Sequence, residues 1–180
     1  MIPPVRRQRV RRDFMEIRFF HASANTLEDL DRRDEAIEHY RELIRLNPDD
    51  NQGVRYPLLA ALMLAGRDDE TPALLARFQD DPTARWLYGR ALAAFRREGD
   101  SRAARGALRA ALRSNRHVPQ YLTADDDVPI PPPAMSVTLG SREEAVVYDL
   151  EQGEAWRATP DALRWLRAQA PARRSGKRRR

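Results

Sequence analysis

Residues 31–43 read DRRDEAIEHYREL, and an Asn-Pro pair follows at 47–48. Ala36, Tyr40 and Leu43 stand at i, i+4 and i+7, so they share one face of an α-helix. The Asn-Pro pair ends that helix, because proline has no backbone N–H to donate and restricts the residue before it. The stretch therefore predicts an amphipathic helix with one buried face.

The same pattern recurs 35 and 68 residues further along the chain. The positions equivalent to Ala36, Tyr40 and Leu43 are Thr71, Leu75 and Phe78 in the second copy and Ala104, Leu108 and Ala111 in the third. Another apolar helix precedes each copy, and these helices are predicted at 14–30, 54–65 and 84–95. The predicted unit is thus helix, turn, helix, repeated three times with a period near 34 residues.

The spacing, the small residue that opens the second helix, the bulky residue four positions later and the Asn-Pro stop together resemble the tetratricopeptide repeat (TPR). The first copy, at 17–50, is the best match, with Phe20 at the bulky early position and Ala24 at the small one. The other copies depart from the pattern, because Thr71 replaces the small alanine and Arg116 stands where a proline is expected.

The resemblance covers residues 14–116 and implies an all-α fold, a right-handed α-α superhelix of about three TPR-like helical hairpins. An unrelated bundle of helical hairpins is the alternative. More narrowly, the chain resembles bacterial TPR proteins of the suppression-of-tumorigenicity family in four longer phrases, which lie at 46–56, 94–101, 117–122 and 155–160. That resemblance extends the folded region to about Leu166, implies a soluble protein without an assigned role, and brings no catalytic residues.

Two further helices are predicted after the repeats. Ser141 and Glu144 form a candidate capping box for a helix through Leu150, and the Thr-Pro pair at 159–160 starts a last helix through Leu166. A helical array exposes an apolar face at its last repeat unless something covers it. We therefore expect these helices to fold back and cap the array through Val146, Val147, Leu150, Trp156, Leu163, Trp165 and Leu166. The alternative is a free helical hairpin tethered by the proline-rich spacer.

The net charge of +5, from 32 basic and 27 acidic side chains in 180 residues, is unevenly distributed. Residues 1–12 carry +5 and residues 171–180 carry +6 without any acid, which predicts disordered basic ends. The body between them carries −6, although residues 85–116 carry +7. The predicted domains are a basic arm, the repeats, a loop with a proline-rich spacer, the capping helices and a basic tail, at 1–12, 13–116, 117–140, 141–168 and 169–180.

No catalytic or metal-binding pattern is found in the sequence. The chain has no cysteine, which excludes disulfides and cysteine-ligated metals. Its histidines, His21, His39 and His117, are far apart, and the acidic triplet at 125–127 lacks the alternating spacing of a calcium loop. We therefore expect no enzyme activity, no cofactor and no metal site.

The expected location is the cytoplasm, without a membrane partner. The longest strongly apolar run, 57–65, is about half as long as a membrane-spanning helix. The Arg-Arg pair at 11–12 is not followed by the apolar region that an export signal needs.

The leading functional hypothesis is a non-enzymatic adaptor that binds a protein or peptide segment in a concave groove, which the first helices of successive repeats line. In the best-known peptide-binding TPR modules, lysine, asparagine and arginine on these helices grip a carboxylate, and only Asn25 and Arg90 keep that residue type here. The candidate groove residues are His21, Asn25, Tyr56, Trp86, Arg90 and Arg97.

The second hypothesis is binding of RNA or of an acidic partner through the basic ends and a basic stripe on the third repeat. The stripe steps by three or four residues along one helix face, opposite Leu108, and comprises Arg102, Arg105, Arg109 and Arg113, with Arg116 beyond them. A solvated face neutralised by the surrounding acidic segments is the alternative. Self-association is a third possibility, so the chain is expected to be a monomer or a weak homo-oligomer.

Overall fold

The computed structural model describes residues 32–123 and 137–170. In these two ranges the chain forms eight α-helices and no β-strand, which confirms the all-α class for them. The helices are α1 (Arg33–Leu46), α2 (Arg55–Leu64), α3 (Thr71–Arg77), α4 (Ala84–Glu98), α5 (Arg102–Ser114), α6 (Val118–Leu122), α7 (Arg142–Arg157) and α8 (Pro160–Gln169). The predicted helix at 14–30, both basic ends, the acidic triplet and the proline-rich spacer lie outside the described residues.

Capping residues start α4 and α5 where the repeat pattern predicts helices. Helix α4 begins after Thr83, whose hydroxyl oxygen accepts from the backbone N–H of Trp86 at 3.3 Å, and α5 begins after Ser101, which caps the N–H of Ala104 in the same way. Between α4 and α5 the chain reverses at Gly99, whose φ of +63° suits a residue without a side chain.

The repeat positions that open each second helix are all buried. Ala36, Thr71 and Ala104 are each at most 1% exposed. Thr71 departs from the small apolar pattern without leaving a polar group unpaired, because its hydroxyl donates to the carbonyl of Asp68 at 2.8 Å. The predicted equivalence of the three copies therefore holds in their burial.

Helix α2 packs against α1, α3 and α4, and α4 packs along α5. Because α2 lies among these three helices and α7, residues 58–63 are buried on every side of it. Two apolar clusters result, a smaller one between α1 and α2 and a larger one that joins α2 and α4 to the helices that follow.

The helices after the repeats are longer than predicted. Ser141 does cap α7, accepting from the N–H of Glu144 at 3.1 Å, but the helix runs to Arg157 rather than Leu150. Helix α8 extends to Gln169. The hydroxyl of Thr159 donates to the carbonyl of Ala155 and makes no cap for α8. A short helix, α6, also lies in the segment that we predicted to be a loop and spacer.

Helices α7 and α8 pack onto the other helices and are not a free hairpin. Helix α7 contacts α2, α4, α6 and α8, so it covers the first helices of two predicted repeats rather than the last hairpin alone. In α8, the ring of Trp165 stacks on Phe95 at a centroid distance of 4.6 Å, and its indole N–H donates to Asp100 at 2.7 Å. Of the residues expected to fold back, Val146, Trp156, Trp165 and Leu166 are buried, and Val147, Leu150 and Leu163 pack against the core at its edge.

A glycine sets how closely α4 approaches α2 and α7. A Cβ atom at Gly89 would lie 2.7 Å from Cδ2 of Leu59, which is fully buried, and 3.5 Å from Oε1 of Gln152. Gly106 on α5 lies in a helix too, but a Cβ atom there would meet nothing nearer than 4.0 Å.

We expect Gly89→Ala to lower the free energy of unfolding by about 1–2 kcal/mol, because the strain of overpacking exceeds the gain in helix propensity. The matched control, Gly106→Ala, should raise it by about 0.5–1 kcal/mol, since only the propensity changes there. Urea unfolding followed by circular dichroism measures both. Equal stabilisation by the two substitutions would contradict the close approach at Gly89.

Candidate binding surface

The predicted groove between the first helices is occupied by α7. The amide of Gln152 donates to the backbone carbonyl of Tyr56 on α2 at 3.3 Å, and Arg85 on α4 pairs with Glu151 at 3.1 Å. Tyr56 is 8% exposed and Trp86 is fully buried. The prediction that these two aromatic residues line an open groove is therefore wrong, because both rings lie in the core, where they meet each other edge to face.

A single buried carboxylate ties α7 to α4 and to the end of α5. Glu144 is 4% exposed and accepts from the backbone N–H of Ala84 at 2.8 Å, the backbone N–H of Gly140 at 2.7 Å and the side-chain amide of Asn115 at 2.9 Å. The donor at Ala84 belongs to the first turn of α4, where the helix dipole favours a negative charge. Glu144 thus does not close the predicted capping box onto Ser141 and instead joins three segments.

We expect Glu144→Ala to lower the free energy of unfolding by about 2–4 kcal/mol, because it leaves buried donors without an acceptor. Glu143→Ala is the matched control, since this neighbouring carboxylate is only half-buried, and we expect a change below about 0.5 kcal/mol. Urea unfolding at neutral pH compares the two. An equal loss of stability in both variants would contradict the claim that the hydrogen bonds of Glu144 hold α7 to α4 and to the end of α5.

A second buried polar network closes the end of the groove near the starts of α2 and α4. One oxygen of Asp81 accepts from Nε of Arg55 at 2.7 Å and from the hydroxyl of Tyr56 at 2.8 Å, while the other accepts from the N–H and hydroxyl of Thr83. Arg55 also donates to Asp50 at 2.9 Å. Burial alone would raise the pKa of Asp81, but the hydrogen bonds from Thr83, Arg55 and Tyr56 outweigh it and hold the pKa below its usual value.

Aromatic rings enclose the guanidinium of this network. The Cζ of Arg55 lies 4.5 Å from the ring centroid of Tyr56 and 5.2 Å from that of Phe78, and both rings meet Trp86 edge to face. The Cζ of Arg85 lies 4.4 Å from the same ring of Tyr56. Since its charges and donors are satisfied within the chain, this network holds helices together and offers no open site to a ligand.

We expect Asp81→Asn to lower the free energy of unfolding at neutral pH by about 2–3 kcal/mol, because Arg55 then keeps only one carboxylate. A depressed carboxyl pKa contributes stability that is present above the unfolded-state pKa and is lost as the pH falls through the folded-state pKa. The difference from the parent chain should therefore shrink below about pH 4. Urea unfolding in steps of pH measures it.

The matched control for this prediction is Asp80→Asn, an exposed neighbour, which should change stability by less than about 0.5 kcal/mol at every pH. The free energies of unfolding of Asp81→Asn and the parent chain could instead differ by the same amount at every pH. That result would contradict a lowered pKa of Asp81 in the folded chain.

The other candidate groove residues do not form one surface. His21 and Asn25 lie outside the described residues. Arg90 is half-buried on α4, and Arg97 is exposed beside Glu98, with which it forms an ion pair of 2.6 Å. The set predicted for the groove is thus divided between the core and the surface.

By contrast, the predicted basic stripe is an open surface. We call Arg102, Arg105, Arg109 and Arg113 the arginine face; all four are exposed on α5, and Arg116 is exposed just after the helix. The opposite side of α5 is buried through Ala104, Leu108 and Ala111.

Most of this charge is not neutralised within the described part of the chain. Arg105 pairs with Asp100 at 3.1 Å, but no described carboxylate lies within 4 Å of Arg102, Arg109 or Arg113. On α1 the pattern is the opposite. Arg41 pairs with Glu38 and with Glu70 of the next hairpin, and Arg45 pairs with Glu42, so the charges of that helix are largely satisfied locally.

The positive charge at the end of α5 affects the pKa of a nearby histidine, His117. Partial burial lowers the pKa of His117, and the charges of Arg116 and Arg142 lower it further, while Glu143 acts in the opposite direction. Arg142 starts α7, so a residue 26 positions along the chain from Arg116 adds to the same positive region.

None of the family models, curated proteins or solved structures with which the chain was compared matches it. In the described ranges, no group of three or more histidine or acidic side chains is arranged to hold a metal ion. No helix in those ranges combines the length and apolar character needed to cross a membrane.

Sequence reasoning missed the residues that α7 and its preceding turn bring to the end of α5. The carbonyl of Ser141 accepts from the amide of Asn115 at 2.8 Å, and Gly140 lies against the backbone of Ser114. As a result, the charge of Arg142 acts on His117, which follows α5. The capping signal at Ser141 predicted a helix start but carried no information about its neighbour.

Proposed function

We propose that the chain is a short TPR-type array whose concave side is filled by its own helix α7. Three observations support this architecture. The helices α1 to α5 fall in the predicted hairpin order, the equivalent positions Ala36, Thr71 and Ala104 are all buried, and α2 and α4, the predicted first helices, pack against each other.

We further propose that the protein is a non-enzymatic adaptor that binds an acidic protein segment on the arginine face of α5. The observation that carries this proposal is an exposed row of arginines, mostly without a carboxylate partner among the described residues, on a body whose charge is otherwise negative. Such a row attracts and orients an acidic partner by electrostatic complementarity.

A protein segment fits this surface better than a nucleic acid. Helix α5 has no aromatic side chain on which a base could stack. The basic ends add charge that would strengthen either kind of binding, so a nucleic acid is tested as the competing outcome.

We expect the triple substitution of Arg102, Arg109 and Arg113 by Gln to weaken binding of a short poly-glutamate peptide roughly 10- to 100-fold, because each exposed ion pair contributes about 0.5–1 kcal/mol. Fluorescence anisotropy of the labelled peptide, at two salt concentrations, measures the affinity. Binding should also weaken at the higher salt concentration, since exposed charges are screened.

The matched control replaces Arg32, Arg45 and Arg164 by Gln. These exposed arginines are each paired with a carboxylate of their own helix or its start, so the control removes the same net charge from other faces. Equal weakening by both triple variants would mean that only net charge matters. Tighter binding of a single-stranded RNA of equal charge, lost in the first variant alone, would assign the face to nucleic acid instead.

A further inference from the structure

One member of the arginine face is already paired with a carboxylate of the chain itself. The Nε atom of Arg105 lies 3.1 Å from Oδ1 of Asp100, and its Nη2 atom donates to the backbone carbonyl of Asp100 at 3.0 Å. Nε and Nη2 form one edge of the planar guanidinium, the edge that can bind a carboxylate through two parallel hydrogen bonds. A partner carboxylate that uses this edge must therefore replace Asp100.

The neighbouring arginines of the face are not occupied in this way. In the described ranges, no carboxylate lies within 4 Å of Arg102, Arg109 or Arg113. Arg105 comes between Arg102 and Arg109 in the row. An acidic segment that binds along the row thus meets one arginine that already has a carboxylate between arginines that have none.

Asp100 is held in its position by the last helix. The indole N–H of Trp165 on α8 donates to the same Oδ1 atom at 2.7 Å. Trp165 is itself buried, and its ring stacks on Phe95 of α4. Because a core residue positions Asp100, its carboxylate stays beside Arg105 with little further loss of side-chain entropy.

The pair of Arg105 and Asp100 is exposed enough to exchange with another molecule. Both side chains are 48% exposed. Water and salt screen such a pair, so a carboxylate from another molecule can replace Asp100 at little cost. The pair of Arg55 and Asp50 differs, since the side chain of Asp50 is only 1% exposed.

Building on the proposed function, we infer that Asp100 is an internal competitor of the acidic partner. Its carboxylate occupies Arg105 in the free chain, a partner carboxylate replaces it there, and this exchange lowers the affinity of the arginine face. In the bound chain Asp100 keeps its hydrogen bond to Trp165. Asp100 is thus a positioning residue that sets how tightly the face binds.

The first test removes the competing charge. We expect Asp100→Asn to tighten binding of the poly-glutamate peptide roughly 2- to 5-fold, because it frees an exposed arginine and keeps an oxygen for Trp165. Fluorescence anisotropy with the full chain measures the affinity, and thermal unfolding checks that the fold is kept.

The matched control for this substitution is Glu98→Gln. It removes the same charge two positions away, from a carboxylate that pairs with Arg97 and accepts from Ser101 rather than from the arginine face. Its affinity should stay within about 1.5-fold of that of the parent chain, since no arginine of the face is freed. Equal tightening by both variants would overturn the competition and leave only an effect of net charge.

A cycle of variants separates competition from simple attraction. Arg105→Gln should weaken peptide binding roughly twofold in the parent chain and roughly fivefold in Asp100→Asn, because only there is the guanidinium unoccupied before binding. Arg109→Gln is the matched control, and its loss should be equal in both backgrounds, since Arg109 has no described carboxylate to exchange. Equal losses for Arg105→Gln in both backgrounds would overturn the inference.

A spectroscopic readout follows the exchange at Asp100 directly. Oδ1 of Asp100 accepts from both Arg105 and Trp165 in the free chain. When the peptide binds Arg105, this oxygen keeps a single donor, so its bond to Trp165 strengthens and the indole N–H signal should move downfield in proton NMR. In Asp100→Asn the same titration should leave that signal in place.

The other two tryptophans provide internal references for this titration. Trp86 is fully buried, and the indole of Trp156 donates to Tyr148 in the core at 2.7 Å. Neither contacts Asp100, so their indole signals should not move. A titration that saturates without moving the signal of Trp165, or that moves all three equally, would overturn the exchange at Asp100.

The outcomes separate this inference from the proposed function. Peptide binding that needs Arg102, Arg109 and Arg113 but is unchanged in Asp100→Asn would keep the acidic partner and overturn the competition. No binding of poly-glutamate to the parent chain or to Asp100→Asn would overturn the proposed function itself.

Discussion

The arrangement of the described helices depends on the buried carboxylate of Glu144. It accepts hydrogen bonds from the first turn of α4, from the turn that precedes α7 and from Asn115 at the end of α5. A buried carboxylate is costly unless its lone pairs are occupied, so the position of α7 is specified by the three donors that it must reach. Apolar burial of Trp156 and Val146 alone would hold α7 near the core without fixing its register.

The position of α7 decides which surfaces are left for a partner. Because α7 rests on α2 and α4, the face where a peptide groove was expected becomes core, with Tyr88 fully buried against Tyr148 of α7. Releasing α7 would expose Tyr88, Tyr148 and Trp156, each of which buries a large apolar area, so we do not expect a peptide to displace the helix. The outward side of α5 has no such cover, and its buried residues face the other way.

The sequence predicted what depends on local patterns and missed what depends on distant contacts. The helix period acts within a few residues and located α1 to α5, and the capping signal at Ser141 located the start of α7. One partner of the Glu144 carboxylate is the N–H of Ala84, 60 positions away, which no local pattern encodes. The aromatic residues at 56 and 86, predicted as groove positions, meet each other edge to face in the core, and no local pattern encodes that contact between α2 and α4.

The arginines of α1 are paired with carboxylates and most of those of α5 are not, and this difference begins in the sequence. Helix α1 carries acids three residues from its arginines, and these pair along the helix. No acid occurs between Asp100 and Asp125, so α5 has no acidic residue of its own to pair with. Three carboxylates of α7 and α8 are used elsewhere, since Glu144 points into the core, Glu151 pairs with Arg85, and Asp161 pairs with Arg164. Among the described residues, Arg102, Arg109 and Arg113 therefore have no carboxylate within 4 Å, which supports the proposed binding of an acidic partner.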